Sequence, residues 1–595
     1  MLLFLLLSFS SLLFVHSIAI TRTSTNGCTK TIQGFTAIGY ETNHGACRFT
    51  VRYGKADRWA DSVLATDYSN QTFVSLPPSC PQDAGTYVAG SSQSEDCLFA
   101  TVYMPQGDAP TGGWPTFVWI HGGSFVGGGA SGPGLDGSNL AVKGDMIVVI
   151  LQYRYILFLP TCFIPANDFS LGVLGFLPPT SVNTTGDPNL GLKDVILGLK
   201  AINQYIEYAG GNRAEVTIGG QSSGAGLIRA LWGAPAAAGL FRAAILQSDP
   251  MSYGFASHDI TTDIQMAFYS VSPMSSCSTI ECLREIHVSN LIAAQDTIVA
   301  TVPYTIWGVP FSEPIRPTWG TASLPTDPTS SLFNSPSDLT FTPNSLPLLI
   351  TTVKNEGGSS ISSIFPTHVP LSNDTYYATA AALVGTDRAE ALVSSPYYAL
   401  PSANSSDSYG PDGDIFRETF ERAVTDGTWK CPNRDVALKW KEAGGKVWVG
   451  EWRQGVSYPD NGSGYCQKSG VVCHEDDIYP TFDAASSTST NTSDFEDTIL
   501  SHWVAFITAL DPNPSSSSTK RACTIATQPP HSSHDSHDTH DSHGHGSNWW
   551  KRSSTQWEEY SSQTDVYPLG GDGEISLCPD GFWGVESKYD WQLYG

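Results

Sequence analysis

The apolar residues of this chain gather in short runs that are separated by polar and glycine-rich stretches. Residues 116–120, 216–218 and 347–350 are such runs, rich in β-branched, aromatic or leucine side chains, whereas residues 192–208 form a longer stretch of helical character. Short apolar runs bounded by turn residues predict buried strands. Because these runs alternate with helical stretches, the pattern predicts parallel βαβ units in an α/β protein.

The second of these runs ends in glycines that surround a serine. Residues 220–224 read Gly-Gln-Ser-Ser-Gly, the G-x-S-x-G pattern of a sharp strand-to-helix turn that exposes a serine hydroxyl. The glycines are needed because a Cβ would collide where the strand and the helix close on each other. Ser222 is therefore the candidate nucleophile. The alternative is a glycine-rich loop whose serine has no chemical role.

A serine nucleophile also needs donors for the negative charge that develops on the substrate oxygen. Residues 121–125, directly after the first apolar run, read His-Gly-Gly-Ser-Phe. This segment is similar to the H-G-G-G loop, in which adjacent backbone amides converge on one point. Ser124 stands at the third glycine, where its side chain either strains the loop or adds a hydroxyl donor. The alternative is a glycine-rich turn without a role.

A candidate acid and a candidate base follow in the chain order Ser, Glu or Asp, His. Glu356 lies at the expected C-terminal end of a strand, and His474 lies in a loop before an apolar segment. Glu475, Asp476 and Asp477 are rival acids. They rank below Glu356 because the side chain of a neighbouring residue seldom folds back onto the imidazole ring.

Together these motifs resemble the type-B carboxylesterase/lipase family, the α/β-hydrolases that include the cholinesterases, and in particular a secreted fungal-type member. Other stretches that resemble the family are Glu-Asp-Cys-Leu at residues 95–98, Gln-Tyr-Arg at 152–154, Leu-Gly-Val-Leu-Gly-Phe-Leu at 171–177 and Asn-Leu-Gly-Leu-Lys-Asp at 189–194. The resemblance implies an α/β-hydrolase fold, with a central, mostly parallel sheet flanked by helices and with large loop insertions.

The resemblance also implies roles for individual residues. Ser222, Glu356 and His474 match the catalytic triad, in which the serine attacks, the histidine moves the proton and the acid orients the histidine. No metal and no organic cofactor is implied. The backbone amides that match the oxyanion hole are those of Gly123, Ser124 and Ser223.

Twelve cysteines indicate disulfides in a secreted chain. The resemblance implies two pairs, Cys80 with Cys97 and Cys277 with Cys282. Cys466 and Cys473, shortly before the candidate base, are a possible further pair. The partners of the other cysteines outside the insert described below stay open, namely those of Cys28, Cys47, Cys431, Cys523 and Cys578.

Length and the N-terminus indicate how the chain is organised. The 595 residues exceed a usual domain, but an α/β-hydrolase with insertions occupies such a length as one domain, here residues 20–595. Residues 1–19 are apolar and end in small residues, which predicts a secretory signal peptide. They lack a basic start, so a membrane anchor is the alternative. Six N-x-[ST] sequons permit glycosylation, at Asn70, Asn183, Asn373, Asn404, Asn461 and Asn491.

The net charge of −26 bears on partners. Nucleic acids and anionic membrane surfaces repel a chain of this charge. We therefore expect a small ester substrate as the partner, no nucleic acid and no stable membrane insertion. The sequence does not indicate an oligomeric state.

Two segments depart from the family pattern. Residues 514–555 include a tract with six histidines among Asp and Ser. We interpret it as a solvated, disordered insertion, and weak binding of divalent metal is the alternative. Residues 155–170 interrupt a motif that would otherwise read Gln-Tyr-Arg-Leu-Gly-Val. We interpret them as a retained intron, with a genuine insertion as the alternative.

The sequence thus predicts a secreted serine hydrolase of carboxylic esters. One alternative is a lipase for long-chain acylglycerols, and another is a non-catalytic adhesion or binding member of the family. The loop between Cys80 and Cys97 is short and polar, which favours an esterase over a lipase with a lid. It also lacks a tryptophan for a quaternary ammonium group, which counts against a cholinesterase.

Overall fold

The computed structural model describes most of the chain between Cys28 and Trp583. The described residues are 28–32, 35–66, 73–82, 92–125, 127–154, 173–179, 187–310, 313–365, 372–384, 386–400, 414–462, 464–485, 490–514, 556–571, 575–579 and 582–583. Several expectations fall outside them: the signal peptide at residues 1–19, the insert at 155–170, the histidine tract, and the sequons at Asn70, Asn183 and Asn404.

Among the described residues, eight strands precede the first helix, and helices and strands are interspersed after it. The strands are β1 (Thr29–Ile32), β2 (Phe35–Ile38), β3 (Tyr40–Glu41), β4 (Ala46–Arg52), β5 (Gly54–Lys55), β6 (Val63–Leu64), β7 (Phe99–Pro105), β8 (Trp114–Ile120), β9 (Ile147–Leu151), β10 (Gly211–Gln221), β11 (Ala243–Gln247), β12 (Ala256–Ser257), β13 (Thr318–Trp319), β14 (Leu348–Val353), β15 (Val447–Trp452) and β16 (Tyr567–Leu569). The helices are α1 (Ser138–Gly144), α2 (Val173–Phe176), α3 (Leu190–Tyr205), α4 (Ser223–Trp232), α5 (His258–Ser270), α6 (Ile280–Glu285), α7 (Val288–Thr305), α8 (Pro328–Asn334), α9 (Gly358–Ile364), α10 (Asn373–Val384), α11 (Thr386–Ser394), α12 (Ile415–Val424), α13 (Cys431–Glu442), α14 (Ile478–Phe482) and α15 (Thr490–Ala509).

Within the described residues, ten strands form one mixed sheet in the order β16-β15-β14-β11-β10-β8-β9-β7-β4-β3. Every neighbouring pair from β16 to β9 is parallel, and β7, β4 and β3 continue the sheet in antiparallel pairs. The sequence runs at 116–120 and 347–350 lie in or overlap β8 and β14, and the stretch at 192–208 overlaps α3. The expected α/β architecture is confirmed.

The sheet is covered by helices on both faces. Val118 of β8 belongs to a buried cluster that includes Leu227 of α4, whereas Trp119, its neighbour, points into a second cluster with Leu140 of α1 and Trp503 of α15. A parallel strand buried on both faces is apolar at successive positions, which explains why the sequence shows uninterrupted runs. Each of these side chains stabilises the fold by about 1.5–3 kcal/mol through burial.

The parallel strands place the candidate chemistry at one edge of the sheet. The carboxyl ends of parallel strands meet at a common edge. The candidate oxyanion loop, residues 121–125, follows β8, Ser222 follows β10, and Glu356 follows β14. His474 lies on the loop that follows β15. The strand order therefore brings candidate site residues that are more than 350 positions apart in sequence to the same edge of the sheet.

Five disulfides lie within the described residues. They join Cys28 to Cys47, Cys80 to Cys97, Cys277 to Cys282, Cys431 to Cys578 and Cys466 to Cys473. Both pairs implied by the family resemblance are among them, as is the possible pair before His474. The other two were beyond sequence reasoning, and Cys162 and Cys523 lie outside the described residues.

Crossing a bilayer takes a helix of about 20 mostly apolar residues. Of the helices in the described ranges, none has the length and apolar character for a membrane span. The longest, α15, carries three acidic residues in its first half.

Candidate active site

Ser222 stands at the turn between β10 and α4. Its backbone adopts φ 56° and ψ −129°, a conformation that costs a non-glycine residue about 1–3 kcal/mol. The Ser222 N–H donates to the Gln247 carbonyl of β11 (2.8 Å), and its carbonyl accepts from the Gly226 N–H (3.0 Å). These bonds to a neighbouring strand and to the helix hold the serine in its strained position.

The two glycines of the turn are required by close approach to β8. A Cβ added to Gly220 would lie 2.7 Å from the carbonyl oxygen of Ile120, and one added to Gly224 would lie 2.1 Å from the same oxygen. Carbon and oxygen that are not bonded need more than 3 Å. The strand and the helix therefore pack closely enough to form this turn only where side chains are missing.

The segment after β8 has a left-handed backbone. Gly123, Ser124 and Phe125 have φ values of 117°, 53° and 58°, and a Cβ on Gly123 would meet the Gly127 carbonyl oxygen at 2.3 Å. Of the two expectations for Ser124, backbone strain is the one the geometry supports, because φ near 53° is unfavourable for a residue with a side chain. A strained loop beside a strained serine is typical of a functional site.

Three backbone amides at this turn have no acceptor within the described chain. No hydrogen bond there uses the N–H groups of Gly123, Ser124 or Ser223. Ser223 is the first residue of α4, so its N–H also lies at the positive end of the helix dipole. Unused amides of this kind are suited to an oxygen that carries negative charge.

The loop that follows β8 is supported by two polar side chains. The amide nitrogen of Gln82 donates to the Gly128 carbonyl (2.9 Å) and its oxygen accepts from the Gly128 N–H (3.3 Å). The Tyr153 hydroxyl donates to the His121 carbonyl (3.0 Å), and the two rings stack at 4.6 Å. Burial lowers the pKa of His121 to about 4, so this histidine is neutral and acts as part of the scaffold.

Glu356 is buried and bound on both of its oxygens. One oxygen accepts from the Val353 N–H (2.8 Å), and the other lies 2.6 Å from Nδ1 of His474. Because the carboxylate accepts from Nδ1–H, the neutral imidazole carries its lone pair on Nε2, the nitrogen that a proton acceptor needs. The acid and the base are 118 residues apart in sequence.

A short parallel contact brings the acid and base loops together. Asn355 pairs with Cys473 in an isolated parallel bridge. The Asn355 N–H donates to the Val472 carbonyl (2.9 Å), and the Val472 N–H donates back to the Asn355 side-chain oxygen (3.2 Å). Since Asn355 directly precedes Glu356 and Cys473 directly precedes His474, this bridge sets the distance between the two side chains.

The rival acids do different work. Asp476 accepts from the Tyr458 and Cys473 N–H groups, each at 2.8 Å, and from the Asn461 side chain at 2.7 Å, so it shapes the His474 loop. Asp477 accepts from Gln247 at 2.8 Å. Glu475 has a left-handed backbone with φ 75°. Among the described contacts, the carboxylate bonded to the imidazole is that of Glu356.

The charges around His474 favour its protonated form. Burial opposes the positive charge, but the hydrogen bond and negative charge of Glu356, with Glu475 and Asp477 close by, outweigh it and raise the pKa of His474 to about 9. Burial likewise raises the pKa of Asp477 to about 7. The imidazolium that forms when a serine gives up its proton is thus stabilised in place.

Sequence reasoning missed the second contact of the imidazole. Nε2 of His474 lies 3.2 Å from the side-chain nitrogen of Gln221, the residue before the candidate nucleophile. Gln221 was visible only as the variable position of the G-x-S-x-G pattern. Gln82 and Asn355 were missed as well, because neither belongs to a sequence motif that indicates which residue it contacts.

Metal binding finds no support in the described part of the chain. No group of three or more His, Cys, Asp or Glu side chains there is arranged to hold a metal ion. The histidine tract lies outside the described residues, and so do residues 83–91 of the Cys80–Cys97 loop.

Comparisons with known proteins agree with this geometry. The sequence profile of the carboxylesterase family matches residues 21–567. The chain is 32% identical over 307 residues to the para-nitrobenzyl esterase of Bacillus subtilis (strain 168), covering 50% of this chain and 54% of that protein. It is 33% identical over 249 residues to carboxylesterase 3 of Homo sapiens, covering 40% of each. The matched region thus spans about half of the length of the first of these curated relatives and less than half of the second.

A solved structure is similar over a longer part of the chain. The structure titled thermophylic PNB esterase has a TM-score of 0.64 and 25% identity, and the match covers 82% of this chain and 92% of that one. Together with the mixed sheet and its flanking helices, this likeness confirms the expected α/β-hydrolase fold.

Proposed function

The chain belongs to the carboxylesterase family, and on that premise we propose that it is a secreted serine hydrolase that cleaves carboxylic esters through an acyl-enzyme on Ser222. The observation that carries the proposal is the 2.6 Å contact between Glu356 and Nδ1 of His474, at the same sheet edge as a strained Ser222. A binding protein without catalytic activity has no need for a buried acid–histidine pair beside a strained serine.

The chemistry follows from the roles that the geometry supports. The Ser222 oxygen attacks the acyl carbon while Nε2 of His474 takes its proton, and Glu356 stabilises the imidazolium. The amides of Gly123, Ser124 and Ser223 donate to the oxygen of the tetrahedral intermediate. His474 then gives the proton to the departing alcohol, and a water molecule, activated by the same histidine, releases the acid from Ser222.

Unused amides are the main source of rate in this scheme. Donors of this kind act on the charge that develops in the transition state, and they act most strongly where water is excluded. Removing one such donor typically costs about 10²–10³ in turnover. The left-handed backbone at Gly123 and Ser124 is what aims these amides, so the strain stored there supports the function.

We propose soluble esters as the substrates rather than emulsified lipids. The support is the composition of the loop between Cys80 and Cys97, which is joined by a disulfide across 17 positions and is too polar to cover an apolar pocket. The similar protein from Bacillus subtilis bears the name para-nitrobenzyl esterase, and nitrobenzyl or nitrophenyl esters are the natural first probes.

Secretion is part of the proposal. Residues 1–19 have the composition of a signal peptide, and five disulfides among the described residues suit an oxidising compartment. We propose one domain over residues 20–595.

Covalent labelling tests the proposal. A fluorophosphonate should react with the protein, and Ser222→Ala should abolish both the labelling and the hydrolysis of nitrophenyl esters while leaving the circular dichroism spectrum unchanged. Ser223→Ala is the matched control, because its amide remains. If Ser222→Ala keeps most of the activity, the nucleophile is elsewhere. If the wild-type protein resists labelling altogether, it is a binding member of the family.

A further inference from the structure

Gln221 is the last residue of β10 and is fully buried. Its side-chain nitrogen lies 3.2 Å from Nε2 of His474. The ring's other nitrogen is bonded to Glu356. Within the described residues the imidazole therefore makes two hydrogen bonds, and neither is to Ser222.

The direction of the Gln221 contact follows from the tautomer. Nδ1 carries the proton that Glu356 accepts, so Nε2 of the neutral ring is an acceptor and needs a donor. The amide nitrogen of Gln221 supplies one, which matches the nitrogen-to-nitrogen contact. The amide oxygen is buried and has no hydrogen-bond partner among the described residues. A buried amide that leaves its oxygen unpaired is unfavourable, so this orientation is held by the bond to the histidine.

The contact is also close to the nucleophile. A Cβ placed on Gly122 would lie 2.8 Å from the Gln221 side-chain oxygen and 3.1 Å from Cβ of Ser222. The Gln221 side chain and the Ser222 side chain therefore both reach the same small space beside Gly122. Nε2 of His474 has one lone pair, which it can give to one donor at a time.

We propose that Gln221 is a positioning residue whose side-chain amide binds Nε2 of His474 whenever the ring is neutral, and competes with the Ser222 hydroxyl for that nitrogen. The inference rests on the proposed function and deepens it. The amide stabilises the neutral ring, which is the form able to accept a proton, and the serine takes its place when the substrate enters.

The effect on pH dependence depends on every charged group near the ring. Those facing His474 are Glu356 from the loop after β14, Glu475, Asp476 and Asp477 from its own loop, and Glu313. All are acidic and all favour the imidazolium when ionised. The Gln221 amide is the group among these contacts that favours the neutral ring, so its removal should shift the balance toward the charged form.

The test compares two variants across pH. We call the fall of kcat/KM toward low pH the acid limb. Gln221→Met keeps the length of the side chain but cannot donate a hydrogen bond. It should move the acid limb to higher pH by about half a unit to one unit, which corresponds to the free energy of one ordinary hydrogen bond. Gln221→Glu places a carboxylate against Nε2 and should move the limb by about 1–3 units. Because the rate falls tenfold for each unit below the limb, Gln221→Glu should lose about tenfold or more at pH 7.

At pH values above the acid limb, Gln221→Met should no longer have a lower kcat/KM than the parent. There the ring is neutral in both proteins, and the variant has lost the competitor of Ser222. Its kcat/KM and its rate of fluorophosphonate labelling should equal or exceed those of the parent. Gln265→Met is the matched control: it removes another buried glutamine, which donates to the Pro178 carbonyl (2.8 Å), and should leave the limb in place.

A purely structural role for Gln221 predicts the opposite pattern. In Gln221→Met, the plateau of kcat/KM at high pH would fall and the pH of half-maximal kcat/KM would stay that of the parent, which would overturn the inference. Should Gln221→Met fail to fold, Gln221→Leu, which also cannot donate a hydrogen bond, provides the same comparison. The triad proposal is tested separately: it fails if Ser222→Ala remains active or if the wild-type protein does not react with a fluorophosphonate.

Discussion

A single methyl group at Gly224 should disable the nucleophile turn. In Gly224→Ala the new Cβ would lie 2.1 Å from the Ile120 carbonyl oxygen, at least about 1 Å inside contact distance. Neither atom is on a flexible side chain, so β8 or the start of α4 must move. Overpacking of this kind costs about 1–3 kcal/mol, and we expect the upper end because the clash is with the backbone of a central strand.

Activity should suffer more than stability. The proposed oxyanion amides and Ser222 lie on the segments that carry the two clashing atoms, and a displacement of about 1 Å at such a site lowers turnover by about 10². We therefore expect kcat/KM for a short nitrophenyl ester to fall about 100-fold or more, with a matching fall in the rate of fluorophosphonate labelling.

Gly226→Ala provides the control within the same helix. Its Cβ would meet the end of the Phe125 ring at 3.2 Å and otherwise nothing closer than 3.7 Å. Alanine is favoured over glycine in a helix by about 1 kcal/mol, so this variant should be as stable as the parent, or more so, and should keep its activity within a few-fold. If Gly224→Ala were equally active and stable, the close approach of α4 to β8 would be refuted.

Four further outcomes are expected. Glu356→Gln should lower kcat by about 10³–10⁴ because an amide cannot stabilise the imidazolium, whereas Asp477→Asn should cost far less; steady-state kinetics of the pair would expose a reversed assignment. The kcat/KM of the parent should rise with pH between about 7 and 9, because His474 must lose its proton to act and its pKa is raised to about 9; a flat profile over that range would contradict the charge balance described here. Cys473→Ser should lower kcat by about tenfold with little change in KM, because it frees the loop that carries His474, and an unchanged kcat would show that the bridge to Asn355 suffices. Short soluble esters should give simple saturation kinetics, and a jump in rate on emulsified long-chain triglyceride would favour a lipase.

The parts that could be predicted from sequence are those with local signals. The runs that became β8 and β14 are apolar because both faces of those strands are buried. The pattern around Ser222 reflects a turn that only glycines permit. The expectations for Glu356 and His474 depended on chain order; the structure brings the two side chains together, and their catalytic roles stay a prediction.

The parts that sequence could not supply are contacts between distant segments. Nothing local to Asn355 indicates that it pairs with Cys473. Gln221 occupies a position that the nucleophile pattern leaves free, so its contact with the imidazole depends on how the His474 loop returns to the sheet. The partner of Cys431 lies 147 positions away, beyond any spacing rule, since many pairings of the remaining cysteines are compatible with the sequence alone.

The bond between Cys431 and Cys578 has a consequence for a chain that is cut. Cys431 begins α13 and Cys578 follows β16, the edge strand that pairs with β15. A protease that cleaves once anywhere between residues 515 and 555 would leave two polypeptides joined by this disulfide, and the smaller one would keep its strand in the sheet. Such a nicked chain should migrate as one band on a gel without reductant and as two with it, and we expect it to keep the proposed esterase activity.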